Sequence, residues 1–374
     1  MSNKNGLSAP MIRGLLLLPL SICLCACDQE GEPAQERAVK DTVVSISDHD
    51  SIFVSIPSSA EQQIVGRMGP AIRLPGGNIA VLDVQNIEFI EFRPDGQVVR
   101  RLSIHGEGPG EFTQIDRINV DNHGNLYFGG FYNRKLAVYD EGMECISQIQ
   151  FNNNSRIGPL RFYPDSDSSI VIMSMVYDLP DSGGMEIGLH SVAADPEVIY
   201  RRRMAQLDPY GDYQSSTGMA CCVGLDGRIY TADFSADEYR IICYSLRGDS
   251  LFSFGMPYEP VRMPKEEIED MRERARRHWI SRTGTSHGFE WEPPQYYRAI
   301  VGLAVDGEGC VWARGNETTL EWDVFSSQGE LLYHCDFLEP TWQECDGWAI
   351  SINRFGILAY PVNPEEHQLI YILQ

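Results

Sequence analysis

Residues 105–149 read HGEGPGEF (105–112), TQIDRINVDNHGN (113–125) and LYFGGFYNRKLAVYDEGMECISQI (126–149). A dinucleotide-binding loop needs the spacing G-x-G-x-x-G directly ahead of a helix. Here Gly106, Gly108 and Gly110 alternate, and a strand with a turn follows instead of a helix. The segment therefore predicts a glycine joint between two β units, with Phe112 packed inside it, rather than a phosphate-binding loop.

The second half of this stretch recurs along the chain. Each copy has a turn glycine, a short apolar strand, a polar loop, an alternating strand, a second turn and a third strand. Clear copies begin at Gly76, His123, Asp226 and Glu308, and weaker copies begin at Asp167 and Phe355. The positions ahead of the first strands are separated by 47, 45, 58, 82 and 47 residues. Periods in the mid-forties with four strands each are typical of β-propeller blades.

The repeats predict an all-β fold, a six-bladed β-propeller of four-stranded antiparallel blades. The longest step contains an insertion at about residues 256–294. The last blade lacks an outer strand, and the strand-like segment DTVVSISDHDSIFVSIP begins at Asp41. We expect this segment to complete the last blade and close the ring, because closure removes an open sheet edge.

The insertion contains MPKEEIEDMRERARRHWI (263–280), which has a proline near its start, acids in the first turn and arginines in the last. These features predict a helix. Its predicted apolar face contains Ile268, Met271, Ala275 and Trp279, and its predicted i,i+4 ion pairs are Asp270–Arg274 and Glu273–Arg277. We expect this helix to lie over the propeller between blades four and five, with its charged run solvated. A lid or a partner contact is the alternative.

The N-terminus has the pattern of a secretory signal. Arg13 precedes a short apolar run, Leu15 to Cys25, which cannot span a bilayer as a stable helix. The run ends in Leu24-Cys25-Ala26-Cys27, which resembles the bacterial lipobox, so Cys27 is the expected site of lipid attachment. The start of translation, at Met1 or Met11, stays open.

The predicted domains are a lipoprotein signal peptide over residues 1–26, a flexible tether over 27–40 and the propeller over 41–374. The predicted location is the cell envelope, with lipid anchorage at the outer membrane. Asp28 leaves inner-membrane retention open as the alternative, and the face of the membrane is also open.

The net charge and the number of cysteines argue against two classes of protein, nucleic-acid-binding proteins and disulfide-stabilised domains. The chain has 53 acidic and 30 basic residues and a net charge of -23, which argues against nucleic acid as a partner. Seven of the ten cysteines follow Cys27, and an odd number over a large domain is not a disulfide framework. The most plausible pair is Cys335 with Cys345. The vicinal pair Cys221-Cys222 is interpreted as core packing.

Residues 106–142, GEGPGEFTQIDRINVDNHGNLYFGGFYNRKLAVYDEG, resemble an NHL repeat. The match rests on the glycine pair, Phe112, Val-Asp, Gly-Asn, an aromatic strand and the loosely matching Asn133-Arg134-Lys135. With the lipobox and the helical insertion, the chain resembles six-bladed β-propeller lipoproteins of Gram-negative envelopes. The match is good over 66–150 and weaker elsewhere, and blade three departs from it at DLPDSGG. This resemblance implies a fold and not an activity, because the family supports binding roles and unrelated enzymes.

In such propellers, the crossings from rim to centre share a face with the loops between second and third strands, around the central channel. That face is the usual ligand site. Candidate ligand-binding residues on these loops are Asp83, Tyr132, Asn133, Arg134, Asp233, Glu238, Arg314 and Asn316. Loop solvation and hydrogen bonds between blades are the alternative role for each of them.

The motifs H-E-x-x-H and G-x-S-x-G are absent, and the eight histidines show no metal-ligand spacing. We therefore expect a non-enzymatic, envelope-anchored lipoprotein that binds a protein, peptide or glycan and contacts the membrane through its lipid alone. No cofactor is predicted. The alternative is a metal-dependent hydrolase or lyase similar to propeller lactonases, with a divalent cation in the channel. Asp83, Asn133, Asp233 and Asn316 could supply its ligands.

Overall fold

The fold is described by a computed structural model of the chain. The structure describes residues 40–55, 65–130, 133–151, 156–164, 169–178, 182–191, 194–204, 218–316, 319–338, 348–361 and 368–373. Tyr132 and Cys345 lie outside these residues, as do the signal peptide, Cys27 and almost all of the tether. The predictions for them are not addressed by the fold.

The described strands form six sheets, as the repeat spacing predicts. The chain begins with β1 (Lys40–Ser45), a 3-10 turn (Ile46–Asp48) and β2 (Asp50–Ser55). Blade one contains β3 (Met68–Arg73), β4 (Ile79–Asp83), β5 (Glu88–Phe92) and β6 (Val98–Ser103), with a 3-10 turn at Pro75–Gly77. Blade two contains β7 (Arg117–Val120), β8 (Leu126–Gly130), β9 (Lys135–Tyr139) and β10 (Cys145–Gln150).

Blade three contains β11 (Arg156–Pro164), β12 (Ser169–Asp178), β13 (Ser182–Ser191) and β14 (Ala194–Met204). Blade four contains β15 (Met219–Val223), β16 (Ile229–Asp233), β17 (Arg240–Tyr244) and β18 (Ser250–Gly255). Blade five contains β19 (Gly302–Val305), β20 (Val311–Arg314), β21 (Glu321–Phe325) and β22 (Leu331–Leu338). Blade six contains β23 (Trp348–Asn353), β24 (Gly356–Pro361) and β25 (Gln368–Leu373).

The innermost strands close a ring. Each of them contacts the next in the order β3, β7, β11, β15, β19 and β23, and β23 contacts β3. All four strands of a blade are antiparallel and follow one another outward from this ring. The structure therefore confirms a six-bladed, all-β propeller.

The N-terminal segment closes the ring and also reinforces a neighbouring blade. β2 pairs antiparallel with β25, with Asp50 opposite Ile372, so the predicted completion of blade six is confirmed. The fold also contains a feature that the sequence did not predict, because β1 runs parallel to β22 as a fifth strand of blade five. Ile46, fully buried in the turn between β1 and β2, packs in one cluster with Trp322 of blade five and Leu373 of blade six.

Burial explains why the repeat is visible in the sequence. Every residue of β4, β8 and β9 is buried, since these middle strands of blades one and two are covered on both faces. The outermost strands β6, β10 and β18 instead alternate exposed and half-buried residues. A buried apolar run flanked by turn glycines is therefore the recurrent signal.

The glycine joint has the predicted structure. It connects β6 to β7, and Phe112 is fully buried in a cluster that combines residues of blades one and two. The backbone N–H of Phe112 donates to the Ile104 carbonyl at 2.6 Å, and that of Gly106 donates to the Phe112 carbonyl at 3.0 Å. Gly110 has a φ of +78°, where a side chain would be strained.

The insertion contains helix α1 (Lys265–Thr283), preceded by Pro264 and ended by Gly284 in the left-handed conformation. Three of the four residues on its predicted apolar face are buried. Two of them, Ile268 and Met271, pack with Met263 and Trp291 of the insertion and with Tyr297 just after it, in a cluster separate from the blade cores. None of the described helices has the length and apolar character needed to cross a membrane.

The predicted i,i+4 ion pairs of α1 were wrong. The observed pairs are i,i+3, between Glu269 and Arg272 at 2.8 Å and between Glu273 and Arg276 at 3.3 Å. Arg274 does not pair with Asp270 and instead lines the central cavity. A charge pattern on a helix does not say which side faces the protein, and here the cavity lies on the side of Arg274.

The cysteines of the propeller core are thiols in the structure. Cys221, Cys222 and Cys243 are buried, as the interpretation of core packing requires. Burial raises the pKa of the Cys221 thiol to about 12, so it stays protonated at neutral pH. Cys335 is also buried and free.

Candidate functional site

The inner strands and α1 supply most of the lining of a central cavity of about 910 Å³. All inner strands begin on the face that carries the crossings between blades. α1 belongs to one of these crossings, between β18 and β19, and its residues Met271 and Arg274 line the cavity. α1 therefore covers the end of the cavity at which the inner strands begin, and we call this the covered end.

The cavity is basic although the protein is strongly acidic. Among the described lining residues, the charged side chains are Arg117, Arg161, Arg274, Arg314, Arg354 and Glu267. The described lining thus has five arginines and one glutamate in a chain with 53 acidic and 30 basic residues. Among the described residues, the charge of the lining is therefore opposite in sign to that of the chain, and a positive lining favours anions.

Four of the five arginines belong to the covered end or the wall below it. Arg117 is the first residue of β7, and Arg314, the last residue of β20, is paired with Gly302 at the start of β19. Arg161 lies within β11, next to blade two. Arg354 lies instead at the opposite end, in the turn between β23 and β24, where its guanidinium donates to the Asn122 side-chain oxygen at 2.5 Å.

Arg117 and Arg161 lie on the neighbouring inner strands β7 and β11, and both line the cavity. Burial lowers the pKa of the Arg117 guanidinium, Asp116 partly offsets this effect, and the positive charge of Arg161 lowers the pKa again. The Arg117 side chain is 42% accessible, pairs with the Asp116 carboxylate at 4.0 Å and donates to the Asp116 carbonyl at 2.7 Å. An arginine keeps its charge at neutral pH, so both side chains are cations there.

The opposite wall combines a cation with aromatic side chains. Arg314 donates from Nη2 to the Thr319 carbonyl at 3.2 Å, which fixes the guanidinium at the mouth of the cavity. The indole of Trp322 lines the same wall and is 6% exposed. Its Nε1 has no hydrogen-bond acceptor among the described residues. On α1, Glu267 accepts a hydrogen bond from the hydroxyl of Tyr297, which fixes this carboxylate of the described lining.

Asp83 has a structural role in the fold. Its fully buried carboxylate accepts five hydrogen bonds, from the backbone N–H groups of Gly66, Arg67, Gln85 and Asn86 and from the Asn86 side-chain amide, at 2.6–3.2 Å. Burial alone would raise the pKa of Asp83, but these hydrogen bonds outweigh it and hold the pKa below its usual value. The residue ties the loop after β4 to the segment that enters blade one.

Asn133 has a similar role in blade two. Its side-chain oxygen accepts hydrogen bonds from the Thr113 backbone N–H at 3.1 Å and hydroxyl at 2.8 Å, and its amide donates to the Gln114 carbonyl at 2.5 Å. Arg134, with a φ of +51°, forms the turn before β9, and its side chain is exposed. Both residues therefore shape the loop between β8 and β9.

The remaining candidates separate into two groups. Asp233 and Glu238 are exposed at the rim of blade four, and Glu238 pairs with Arg240 at 3.3 Å. Asn316 is half-buried in the loop after β20. Of the eight candidate residues, Arg314 is the one that lines the cavity in the described structure.

The candidate loops lie on the expected face, but mostly too far from the axis. Met68, the first residue of β3, is opposite Asp83, and Met219, the first of β15, is opposite Asp233. Each loop therefore lies one strand farther out, and neighbouring strands are about 4.8 Å apart. Sequence reasoning missed Arg117, Arg161 and Arg274. The available signal was an arginine in the short strand ahead of a turn glycine, as in DRINV (116–120).

Metal-ligating side chains do not gather at the cavity in the part of the chain that the structure describes. The described residues contain no group of three or more His, Cys, Asp or Glu side chains arranged to hold a metal ion. Asp83 and Asn133, two of the four ligands considered for the metal alternative, are already engaged with backbone groups.

Comparisons with known proteins agree with the fold. A family model described as a 6-bladed beta-propeller matches residues 63–158, which contain the first two blades. No curated protein matches the sequence.

Among solved structures, a member of the duf4221 family from Bacteroides vulgatus is similar, with a TM-score of 0.54, 9% identity and coverage of 87% of this chain and 96% of that chain. A gluconolactonase from Xanthomonas campestris has a TM-score of 0.46, 12% identity and coverage of 90% and 99%. A virginiamycin B lyase from Staphylococcus aureus has a TM-score of 0.46, 8% identity and coverage of 87% and 99%. At these identities the similarity concerns the fold alone, and the chain is a β-propeller.

Proposed function

We propose that this protein is a lipid-anchored β-propeller of the cell envelope that binds an acidic ligand, without chemical conversion, in the covered end of its central cavity. The ligand is a peptide, protein or glycan segment with anionic groups. The observation that carries the proposal is the set of arginines lining the cavity of an acidic protein.

The choice of arginine supports anion recognition. A guanidinium presents a planar fork of donors that matches a carboxylate or phosphate, and it stays charged when partly desolvated. Arg117 and Arg161 lie on the neighbouring inner strands β7 and β11 and both line the cavity, so two guanidinium groups are available to one acidic group.

The metal-dependent hydrolase or lyase remains the second candidate class. It would need several carboxylates or histidines around the axis, whereas Glu267 is the carboxylate that the described lining supplies. Its test is a thermal-shift series with calcium, magnesium, manganese and zinc, each followed by EDTA. A ligand that binds only the folded state raises the melting temperature, so a shift with one ion that EDTA reverses would favour this class.

The binding proposal is tested with size-matched probes. The purified chain is titrated calorimetrically with trigalacturonate, tri-glutamate and neutral maltotriose at low and high salt. We expect one acidic probe to bind, with affinity falling as salt rises, and maltotriose not to bind. Binding of maltotriose with equal affinity, or of none of the probes, would contradict an acidic-ligand site.

The anchor is tested separately at Cys27. Cells that make the wild-type chain or the Cys27→Ala variant are labelled with radioactive palmitate, and membranes are then fractionated. We expect label and outer-membrane recovery for the wild type and neither for the variant. Equal labelling of the two chains would exclude Cys27 as the lipidated residue.

A further inference from the structure

We infer that the ligand of the cavity carries two anionic groups, one held by Arg117 and Arg161 and the other by Arg314, so that it spans the channel. This inference rests on the proposed function, because it specifies the ligand of the same site.

The ring of inner strands places these arginines on opposite walls. Arg117 begins β7, the inner strand of blade two. Arg314 is paired with Gly302, which begins β19, the inner strand of blade five. In the closed ring of six inner strands, β7 and β19 are three steps apart in either direction. Blades two and five therefore face each other across the channel.

The two arginines also lie at the same depth. Both are level with the first residue of an inner strand, at the end that α1 covers. A ligand that contacts both must therefore lie across the channel rather than along it. Since the cavity has a volume of about 910 Å³, it has room for a linker between two acidic groups.

The cover above the site restricts the kind of molecule. Met271 and Arg274 of α1 line the cavity from this end, so a polymer threaded along the channel would have to pass α1, whereas a compact ligand would not. The guanidinium fork fits a carboxylate, and the Trp322 indole offers an apolar surface beside Arg314. The chemical class is therefore a compact dicarboxylate, either free or as the acidic end of a longer chain.

A length series tests the span directly. The purified full chain is titrated calorimetrically with succinate, glutarate, adipate, pimelate and suberate, and with butyrate and hexanoate as matched monoacids. Digalacturonate and glutamyl-glutamate represent the ends of acidic glycans and peptides, and inorganic phosphate represents a single compact anion. The two-point site predicts that affinity passes through a maximum along the diacid series. It also predicts that the best diacid binds at least about tenfold more tightly than its matched monoacid.

Substitutions on each wall test whether Arg117 and Arg314 each bind one acidic group. Arg117→Gln and Arg314→Gln should each remove the preference for the diacid over the monoacid. Arg240→Gln, the same change at an exposed residue of blade four, should keep it. The dependence of affinity on diacid length is measured with the wild-type chain, so it tests the two-point site even if a substitution impairs folding. Circular dichroism melts of each variant show whether it is folded.

Each failure has its own signature. Equal affinities for monoacids and diacids, a flat length series, or a diacid preference that survives Arg314→Gln would overturn the two-point site and leave a single-anion site. If the wild-type chain binds none of the acids, including trigalacturonate and tri-glutamate, the proposed function itself is wrong.

Discussion

The ammonium group of Lys135 lies 4.9 Å from the centre of the Phe112 ring and donates a hydrogen bond to the Gly108 carbonyl at 3.1 Å. A buried lysine of β9 in blade two thus holds the glycine joint that arrives from blade one. We expect Lys135→Met to lower the free energy of unfolding by about 1–2 kcal/mol, since a charge-assisted hydrogen bond and a cation–π contact are lost while an apolar stem is kept. Urea unfolding of the wild type and the variant measures the difference in the free energy of unfolding. Lys265→Met at the exposed start of α1 is the control, and an equal loss there would contradict the assignment.

Asp83 should make stability depend on pH. Its hydrogen bonds lower its folded-state pKa below the unfolded value, so its contribution is complete at neutral pH and is lost as pH falls through the folded pKa, below about 4. Asp83→Asn keeps the shape but turns an amide N–H₂ toward backbone donors, and we expect a loss of about 2–3 kcal/mol at neutral pH. Denaturation of both chains from neutral to acidic pH should show the gap narrowing. A gap that is constant down to about pH 3 would count against this role of the carboxylate.

Gly110 and Gly284 both have left-handed backbone conformations but differ in the space around them, so their alanine variants can be compared directly. A Cβ on Gly110 would lie 2.5 Å from the Tyr139 hydroxyl and 2.9 Å from the Cys145 sulfur, whereas a Cβ on Gly284 would meet nothing within 4 Å. We expect Gly284→Ala to cost about 1 kcal/mol from the backbone alone, and Gly110→Ala to cost at least about 2 kcal/mol. Thermal melts of both variants compare them directly. Similar melting temperatures would mean that the packing around the glycine joint yields easily.

The two N-terminal strands should differ in importance. Deleting residues 40–45 removes β1 and leaves blade five with four strands, so we expect a monomer with a lowered melting temperature. Deleting residues 40–55 also removes β2, which exposes the edge of β25 and takes Ile46 out of the core, so we expect association or aggregation. Size-exclusion chromatography distinguishes these results. A monomeric, cooperatively melting chain without β2 would show that ring closure is dispensable.

Much of the fold was predictable because buried strands and turn glycines are local features. Strands such as β4 and β9 are buried throughout and apolar except for one terminal residue each, Asp83 and Lys135, and glycines such as Gly124 and Gly227 have the positive φ that the turns require. β1 was not separated from β2, because the short turn Ile46–Asp48 contains neither glycine nor proline. Its parallel pairing with β22 joins segments far apart in sequence, which no local pattern indicates.

The site was less predictable because it depends on which strand is nearest to the axis. Arg117 in β7 has the same local pattern as an exposed strand residue, and its position in the cavity follows from closure of the ring. Asp83 was a reasonable ligand by residue type, but its contacts within the loop depend on the backbone of residues 66 and 67. Arg314 was predicted as a residue of the loop between the second and third strands, and it lines the cavity because the end of β20 lies beside the start of β19.

The pairing of β2 with β25 also sets an order of events during biosynthesis. β2 leaves the ribosome early, and its partner is made about 300 residues later. At translation rates of about 5–20 residues per second, the closing strand waits roughly 15–60 s for its neighbour. The five earlier sheets each contain a complete set of four strands without it. The pairing of β2 with β25 is therefore the last that the nascent chain can form, and any factor that protects the unfinished protein has to shield β2 for the whole interval and β1 until β22 is made.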